Sequence, residues 1–372
     1  MAFTFLLLLS LSYLLLEAMP GDFGQQFLED PKLTGEERAA LVRIYGLDKP
    51  PHERFLRYMG ALLSGNLGVS FQYYPRPVVD VIFERAPRTL VLFLTSTITA
   101  YYVGFLAGKL LAWRRGRALE YVATIGGVTL YTVFTPWFGL MMIWLFAYSF
   151  KWMPLGQFIT PVFWRRAPTD ANTVFGWMLL SAFLAGLALL MIALLSRRLM
   201  GRTKTLTRWG GAAATIGVLL AVWGSSELGP YARDILWHIT LPVLTVTLIS
   251  FAGIMLLTRN SMLETLREDY IMAARAKGLP EAVIRDKHAA RNAMLPVVTA
   301  LVFALAGAIG GGVITETVFS YPGMGLTLLQ AVQVQDIPMT MGGIVFIGLL
   351  SLLAHLAADI LYVYLDPRIR YA

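Results

Sequence analysis

The chain has 372 residues, 57% of them hydrophobic and only 15% charged, with a net charge of +8. Its mean hydropathy of +0.62 and its low charge set it apart from soluble domains, in which about a quarter of the residues are charged. It contains no cysteine, which excludes disulfides, thiolate metal sites and cysteine nucleophiles. The basic residues gather in short stretches between apolar runs, a pattern that fixes membrane topology and does not suit a nucleic-acid binder.

A spanning helix needs about 20 mostly apolar residues. The first run, Phe3 to Leu16, is short. It lacks the basic n-region and clear cleavage site of a signal peptide, with only a weak candidate near Ala18. It reads as a first spanning helix over 1–19, compatible with a start upstream of Met1. Residues 20–87 are polar and read as an extracytoplasmic loop with short helices, one of them Gly35 to Ile44. A membrane domain follows over 88–364, with a tail over 365–372.

Its spans begin with Thr89 to Leu111, where Lys109 sits near the end and snorkels. Tyr121 to Phe150 carries no charge, and Pro136 inside it predicts a kink. Val174 to Leu195, Gly210 to Trp223, Ile239 to Leu257 (with Pro242 in its first turn), Met294 to Ile314 and Met339 to Tyr362 complete eight. With the N-terminus inside, loops 112–120, 196–209 and 258–293 and the tail face the cytoplasm. The last of these loops alone holds seven basic residues, whereas the short outer loops together hold four: Lys151, Arg165, Arg166 and Arg233. The positive-inside rule is thus met with both termini cytoplasmic. Omitting the short Gly210–Trp223 span would put the tail outside.

The segment Ser261–Pro296 reads SMLETLREDYIMAARAKGLPEAVIRDKHAARNAMLP. Leu263, Leu266, Tyr270 and Ala274 recur at three- and four-residue spacing and predict one apolar face. Gly278 stops the first helix. Pro280 restarts the chain at a first helical position, with Glu281 suited to the new N-terminus. These residues alone fit either an amphipathic helix lying on anionic lipid or a short helix pair that docks a soluble partner.

AARAKG followed by HAARNAMLP resembles the cytoplasmic docking loop of ABC importer permeases. In that loop Glu-Ala-Ala is followed by three residues, a Gly and later an Ile-x-Leu-Pro. Met272 stands where the Glu is expected, while Ala273, Ala274 and Gly278 match. Leu295-Pro296 comes five residues later than in the generic pattern, a spacing similar to that of the peptide/nickel subfamily; Pro280 replaces the Ser usual there. GNLGVSF at 65–71, PVVDVIFERAPRTL at 77–90, ETVFSYPGMG at 316–325 and LDPRIRY at 365–371 also resemble that subfamily, in order along most of the chain.

The resemblance implies an all-α membrane protein with the type I ABC importer transmembrane fold, here six family-like spans plus two inserted over about 174–224, most simply a lipid-facing pair. It implies a permease in the cytoplasmic membrane, forming half of the path for di- or oligopeptides. Nickel complexes and oligosaccharides are alternative cargoes. The partners implied are a homologous second permease, two cytoplasmic ATPase subunits, an extracytoplasmic solute-binding protein and the lipid bilayer. Asp269, Tyr270, Ala273, Ala274, Arg275, Ala276, Lys277, Gly278 and Leu279 would dock an ATPase, and Gly278→Asp is expected to uncouple hydrolysis from transport. The chain has no G-x-x-x-x-G-K-[ST] loop, so it is read as no enzyme and as holding no cofactor; ATP and Mg would belong to the ATPase subunits.

Polar residues in the spans mark possible gate or partner contacts, since charge is costly in hydrocarbon. Glu316 ends the seventh span, and His355 and Asp359 share a face of the last. A simpler role for Asp359 is pairing with a nearby basic residue at the cytoplasmic interface. The four histidines lack ligand spacing. Gly310-Gly311-Gly312 fits either close helix packing or a hinge. The main rival class, a secondary transporter driven by an ion gradient, would need repeated halves with broken helices and midplane charges; no such repeat stands out.

Overall fold

The computed structural model describes residues 2–17, 34–36, 39, 42, 49–308 and 310–365. Most of the helix expected over Gly35–Ile44 and the whole 366–372 stretch of the tail lie outside the described residues. The chain divides into two compact units, one of residues 1–142 and 242–372, the other of residues 143–241. Among the described residues the architecture is helical, with one isolated β-bridge between Val69 and Pro77. Six helices are long and apolar enough to cross a membrane, or seven if a bent pair counts as one span. A shorter apolar helix, Phe5–Glu17, brings the set to the eight expected. The fold class is that of the type I importer membrane fold.

The first unit opens with α1 (Ala2–Glu17) and α2 (Pro51–Leu63). Leu9 and Tyr13 of α1 are buried with Ile337 and Met341, and Phe55, Tyr58 and Met59 of α2 pack against them. Arg54 and Glu17 pair at 2.6 Å. Helix α3 (Val78–Trp113) is longer than the apolar run that announces it and passes through Pro87. The polar approach to the span is therefore helix and not loop. Its charges are matched locally: Glu84 takes Arg88 one turn on, at 3.1 Å, together with Arg85 and Arg76.

Helix α4 (Ala118–Thr132) and α5 (Thr135–Met142), the latter continued by a π-helical stretch at Ile143–Ser149, are bent by 107° at a short break. A single kinked helix was expected here. Instead Val133 is extended, at φ −65° and ψ 138°. Pro136 falls in the first turn of a new helix, where its missing N–H costs nothing.

The second unit holds α6 (Pro161–Trp164), α7 (Ala171–Leu195), α8 (Gly201–Ser225) and the start of α9 (Gly229–Thr265). Asp170 caps α7, accepting from the amides of Asn172 and Thr173. The expected inserted pair is α7 and α8, and α8 starts earlier than its apolar run, taking in Arg202, Lys204 and Arg208. The most apolar windows of both helices bury no residue inside the protein, as suits a pair facing lipid. Trp223 Nε1 donates to Ser181 Oγ at 3.1 Å and Arg208 Nε to Ser196 Oγ at 2.8 Å. Pro242 lies inside α9 and not in a first turn, because the helix begins at Gly229.

In the first unit, α10 (Asp269–Ala276) and α11 (Glu281–Val283) follow. A π-helical turn at Ile284–Ala289 and α12 (Ala290–Ala308) complete a helical run that begins well ahead of the expected Met294 and ends at Ala308. Then come α13 (Val313–Val318), α14 (Met324–Gln333) and α15 (Ile337–Leu365). The three glycines therefore fall at a break between α12 and α13 and not within a span. A Cβ on Gly312 would also lie 2.6 Å from the Phe93 ring, so the close packing falls at that break.

Candidate partner-docking site

Helix α10 is amphipathic in an unexpected register. Residues 266–268 break the helical run, yet Leu263, Leu266 and Ala274 of the expected face meet in one cluster, and Tyr270 is the exception. Ile271 and Ala274 are the buried pair. They join Ala112, Met262, Ile284, Ala289, Ala290 and Ala293, with Leu263 and Leu266 packed alongside. Tyr270 is 38% exposed, and Asn292 Nδ2 donates to its hydroxyl at 2.6 Å. Met272, in place of the Glu of the motif, is exposed. So are Asp269, Ala273, Arg275, Ala276, Lys277, Gly278 and Leu279.

The end of α10 explains the Ala-Lys-Gly-Leu sequence. Gly278 takes φ +71°, a conformation that costs an L side chain but not glycine. The Gly278 amide donates to Arg275 O at 2.9 Å and the Leu279 amide to Ala274 O at 3.4 Å, the paired bonds of a Schellman turn. Pro280 is the N-cap of the next helix, one place earlier than expected. Arg275 and Glu281 pair across the break at 3.2 Å; both are exposed, so the pair adds little energy. Lys109, at the far end of α3, reaches Asp286 at 3.2 Å instead of snorkelling free. The result is a small convex turn, with one face fixed in an alanine-rich core and the other bare.

A second constellation lies at the other end of α3. Glu316 is fully buried. It accepts from Thr89 Oγ1 at 2.7 Å and from the Leu326 amide at 2.9 Å. Burial pushes its carboxyl above the ordinary range, against those hydrogen bonds. Arg88 Nη1 donates to Pro322 O at 3.3 Å, and the buried Tyr321 hydroxyl donates to Arg88 O. Glu316 thus clamps α13 and α14 onto α3. It sits on a helix of its own, past the seventh span, and presents no surface for an external binding protein in this structure.

Asp336 does similar work before α15. Ser70 Oγ and the amides of Gln72 and Met339 donate to its carboxylate. His355 and Asp359 are exposed on α15. His355 Nδ1 lies 2.8 Å from Ser351 O, and Asp359 forms no ion pair with any of the described residues.

Residues 100–371 match the profile of the binding-protein-dependent transport system inner membrane component family. The chain belongs to that family. It is 31% identical, over 99% of its own length and 95% of the relative's, to the dipeptide transport system permease protein DppB of Escherichia coli (strain K12). It is 30% identical to the di/tripeptide transport system permease protein DppB of Pseudomonas aeruginosa (strain UCBPP-PA14) and 29% identical to the oligopeptide transport system permease protein AppB of Bacillus subtilis (strain 168). Each of those two alignments covers 97% of this chain and 93% of the relative. The chain is therefore a multi-pass membrane permease component of a transport system and not an enzyme.

Some contacts of this permease went unread in its sequence. Gly104 and Gly108 form a small-xxx-small pair of the kind that lets helix backbones touch. A Cβ at Gly104 would lie 2.8 Å from Phe251 O, and one at Gly108 2.5 Å from Met255 O, so α3 meets the backbone of α9 there. Glu120 is 4% exposed. It takes Arg259 Nε at 2.9 Å and the Gly116 amide at 2.6 Å, tying the start of α4 to α9. The GxxxG spacing was a signal in plain view. The Glu120–Arg259 pair, 139 residues apart, had none.

Proposed function

We propose that this chain is one permease half of an ATP-driven importer of di- or oligopeptides, engaged by a cytoplasmic ATPase subunit through the turn at 269–279. The observation that carries this reading is the two-faced geometry of α10. Ile271 and Ala274 are buried in the chain's own core, while Ala273, Ala276, Lys277 and Gly278 stand bare on the other side. Small residues on the bare face admit a groove to the backbone, and the Schellman turn gives it a fixed shape without rigid side chains.

The peptide class rests on the relatives, which are named for dipeptide, di/tripeptide and oligopeptide transport. ATP and Mg would be bound by the ATPase subunits. A homologous permease would supply the other half of the path, and an extracytoplasmic binding protein would deliver the solute. Both termini, loop 258–293 and the 365–372 tail are assigned to the cytoplasm of a cell-membrane protein, with 20–87 outside, on the distribution of basic residues. Glu316 is assigned to bracing. His355 and Asp359, exposed on one face of α15, are assigned to contact with the second permease.

The chain has no cysteine, so single cysteines test this directly. Ala273→Cys and Ala276→Cys in the assembled complex are expected to crosslink to an ATPase subunit, and the buried Ile271→Cys is not. Modification of Ala273→Cys by a membrane-impermeant thiol reagent applied only from outside the cell would refute the assignment.

A further inference from the structure

The second unit contains a cavity of about 630 Å³, lined by Thr160, Phe163, Pro230, Arg233, Asp234 and Trp237. That volume lies within the range of about 300–1,000 Å³ usual for small-ligand sites. Its frame is held by Asp234, whose carboxylate accepts from the Thr160 amide at 2.9 Å, Thr160 Oγ1 at 2.7 Å and Trp164 Nε1 at 2.8 Å. His238, buried one turn on, has Nδ1 2.8 Å from Asp234 O. A carbonyl only accepts, so Nδ1 carries the proton and the ring further pins this turn of α9. The acidic group on the wall is thus occupied by its neighbours. Arg233 is exposed and has no hydrogen-bond or ion-pair partner among the described residues. The free polar group that the cavity offers is therefore a guanidinium, a planar two-pronged donor matched to a phosphate.

Depth points the same way. Arg233 precedes Ile239, where the apolar run of α9 begins, by about 9 Å at 1.5 Å per residue. The polar layer on each side of the hydrocarbon is about 5–8 Å thick, within reach of an arginine side chain. Phe163 and Trp237 are 41% and 49% exposed, and Trp152 and Trp177 in the same unit are also exposed. The three tryptophans, with an apolar ring and a polar N–H, favour the headgroup level.

We propose that this cavity holds the phosphate headgroup of a membrane phospholipid, with Arg233 on the phosphate and Phe163 and Trp237 against the glycerol and first acyl carbons. A guanidinium at headgroup depth takes a phosphate by this chemistry. The site needs no solute and no ATPase, so it stands apart from the assignment of the docking turn.

Native mass spectrometry of the intact permease complex, titrated with phosphatidylglycerol, reads this out. Wild type is expected to retain one phospholipid more than Arg233→Gln. The retained fraction should drop about tenfold, as for loss of a charged hydrogen bond, and Arg233→Lys should restore part of it. Diacylglycerol, which lacks phosphate, should not fill the site, and glycerol phosphate should not compete at the same concentration. Equal retention by Arg233→Gln, or equal binding of free glycerol phosphate, overturns the proposal. So does unchanged lipid retention with lost stimulation by the binding protein, which would give the cavity to that protein. Preserved thermal unfolding of Arg233→Gln guards against reading misfolding as lost binding; if it unfolds early, Trp237→Leu carries the same comparison.

Discussion

Replacing Gly278 perturbs the docking turn through its backbone alone. At φ +71° the position is left-handed, and a Cβ built there finds nothing within 4 Å. No steric clash confuses the result. The cost is the intrinsic one of a left-handed L residue, about 1–2 kcal/mol, which lowers the ratio of formed to unformed turn about 5- to 30-fold. Asn tolerates this region and Val does not. Gly278→Val is therefore expected to leave the spans folded, with an unchanged thermal midpoint, while ATPase stimulation by loaded binding protein and peptide uptake fall together, by up to about 30-fold in reconstituted vesicles. Gly278→Asn should stay within about 3-fold of wild type on the same left-handed tolerance. The open space also refines what Gly278→Asp can report: a short acidic side chain there strains the turn mildly and acts on the partner by charge. Wild-type coupling in Gly278→Val would refute the docking role, and equal loss in the Val and Asn variants would refute the backbone argument.

Glu316→Ala removes the acceptor of the buried Thr89 O–H, whose oxygen still accepts from the Met324 amide, and that of the half-buried Leu326 amide, at about 1–3 kcal/mol for each donor; the unfolding midpoint of the purified permease should fall, and Glu316→Gln, which keeps an acceptor oxygen, should fall less. Lys109→Gln removes the pair with Asp286, whose side chains are 18% and 42% exposed; stability should change by less than about 1 kcal/mol, whereas hydrogen exchange across 281–289 should rise. Asp170→Ala removes the cap of α7, at about 1 kcal/mol, and exchange at Asn172 and Thr173 should accelerate. The Thr173 hydroxyl, then the amides of Thr173 and Asn172, hold the Asp170 carboxyl below its ordinary value against burial. The cap is therefore fully effective above the ordinary aspartate pKa of about 3.9 and weakens as pH falls through the depressed value.

The spans were legible because hydrocarbon thickness sets a length that an apolar run either meets or misses. Their ends were not. Val78 to Arg88 is polar on paper, yet it is helix, because Glu84 gathers three arginines and leaves α3 free to run on. The docking segment is marked by its glycine and alanines, and Leu263, Leu266 and Ala274 of its expected apolar face do pack together; across the break at 266–268 the face exchanges only Tyr270 for Ile271. A period read across an unseen break misplaces the residue just beyond it. Glu316 stood out as an acid near a span, but its role lies in Thr89, 227 residues away, which no local pattern reports.

These contacts give α3 a particular mechanical standing. Near its C-terminal end Lys109 holds Asp286 beside the docking turn, and Ala112 sits in the same buried cluster as Ile271. Toward its N-terminal end Thr89 and Arg88 hold the α13–α14 element through Glu316 and Pro322. Thr89 and Lys109 are separated by about 30 Å of helix at 1.5 Å per residue, about the thickness of the hydrocarbon. Close to Lys109, Gly104 and Gly108 seat the helix directly on α9, against Phe251 O and Met255 O and the Cβ atoms of Ile254 and Thr258. A helix fastened at two points about one hydrocarbon thickness apart, and packed against a neighbouring backbone beside one of them, moves as a body and does not bend piecemeal. A displacement imposed on the exposed turn reaches the clamp at Glu316 through α3, alongside α12, which runs from the same buried cluster toward α13.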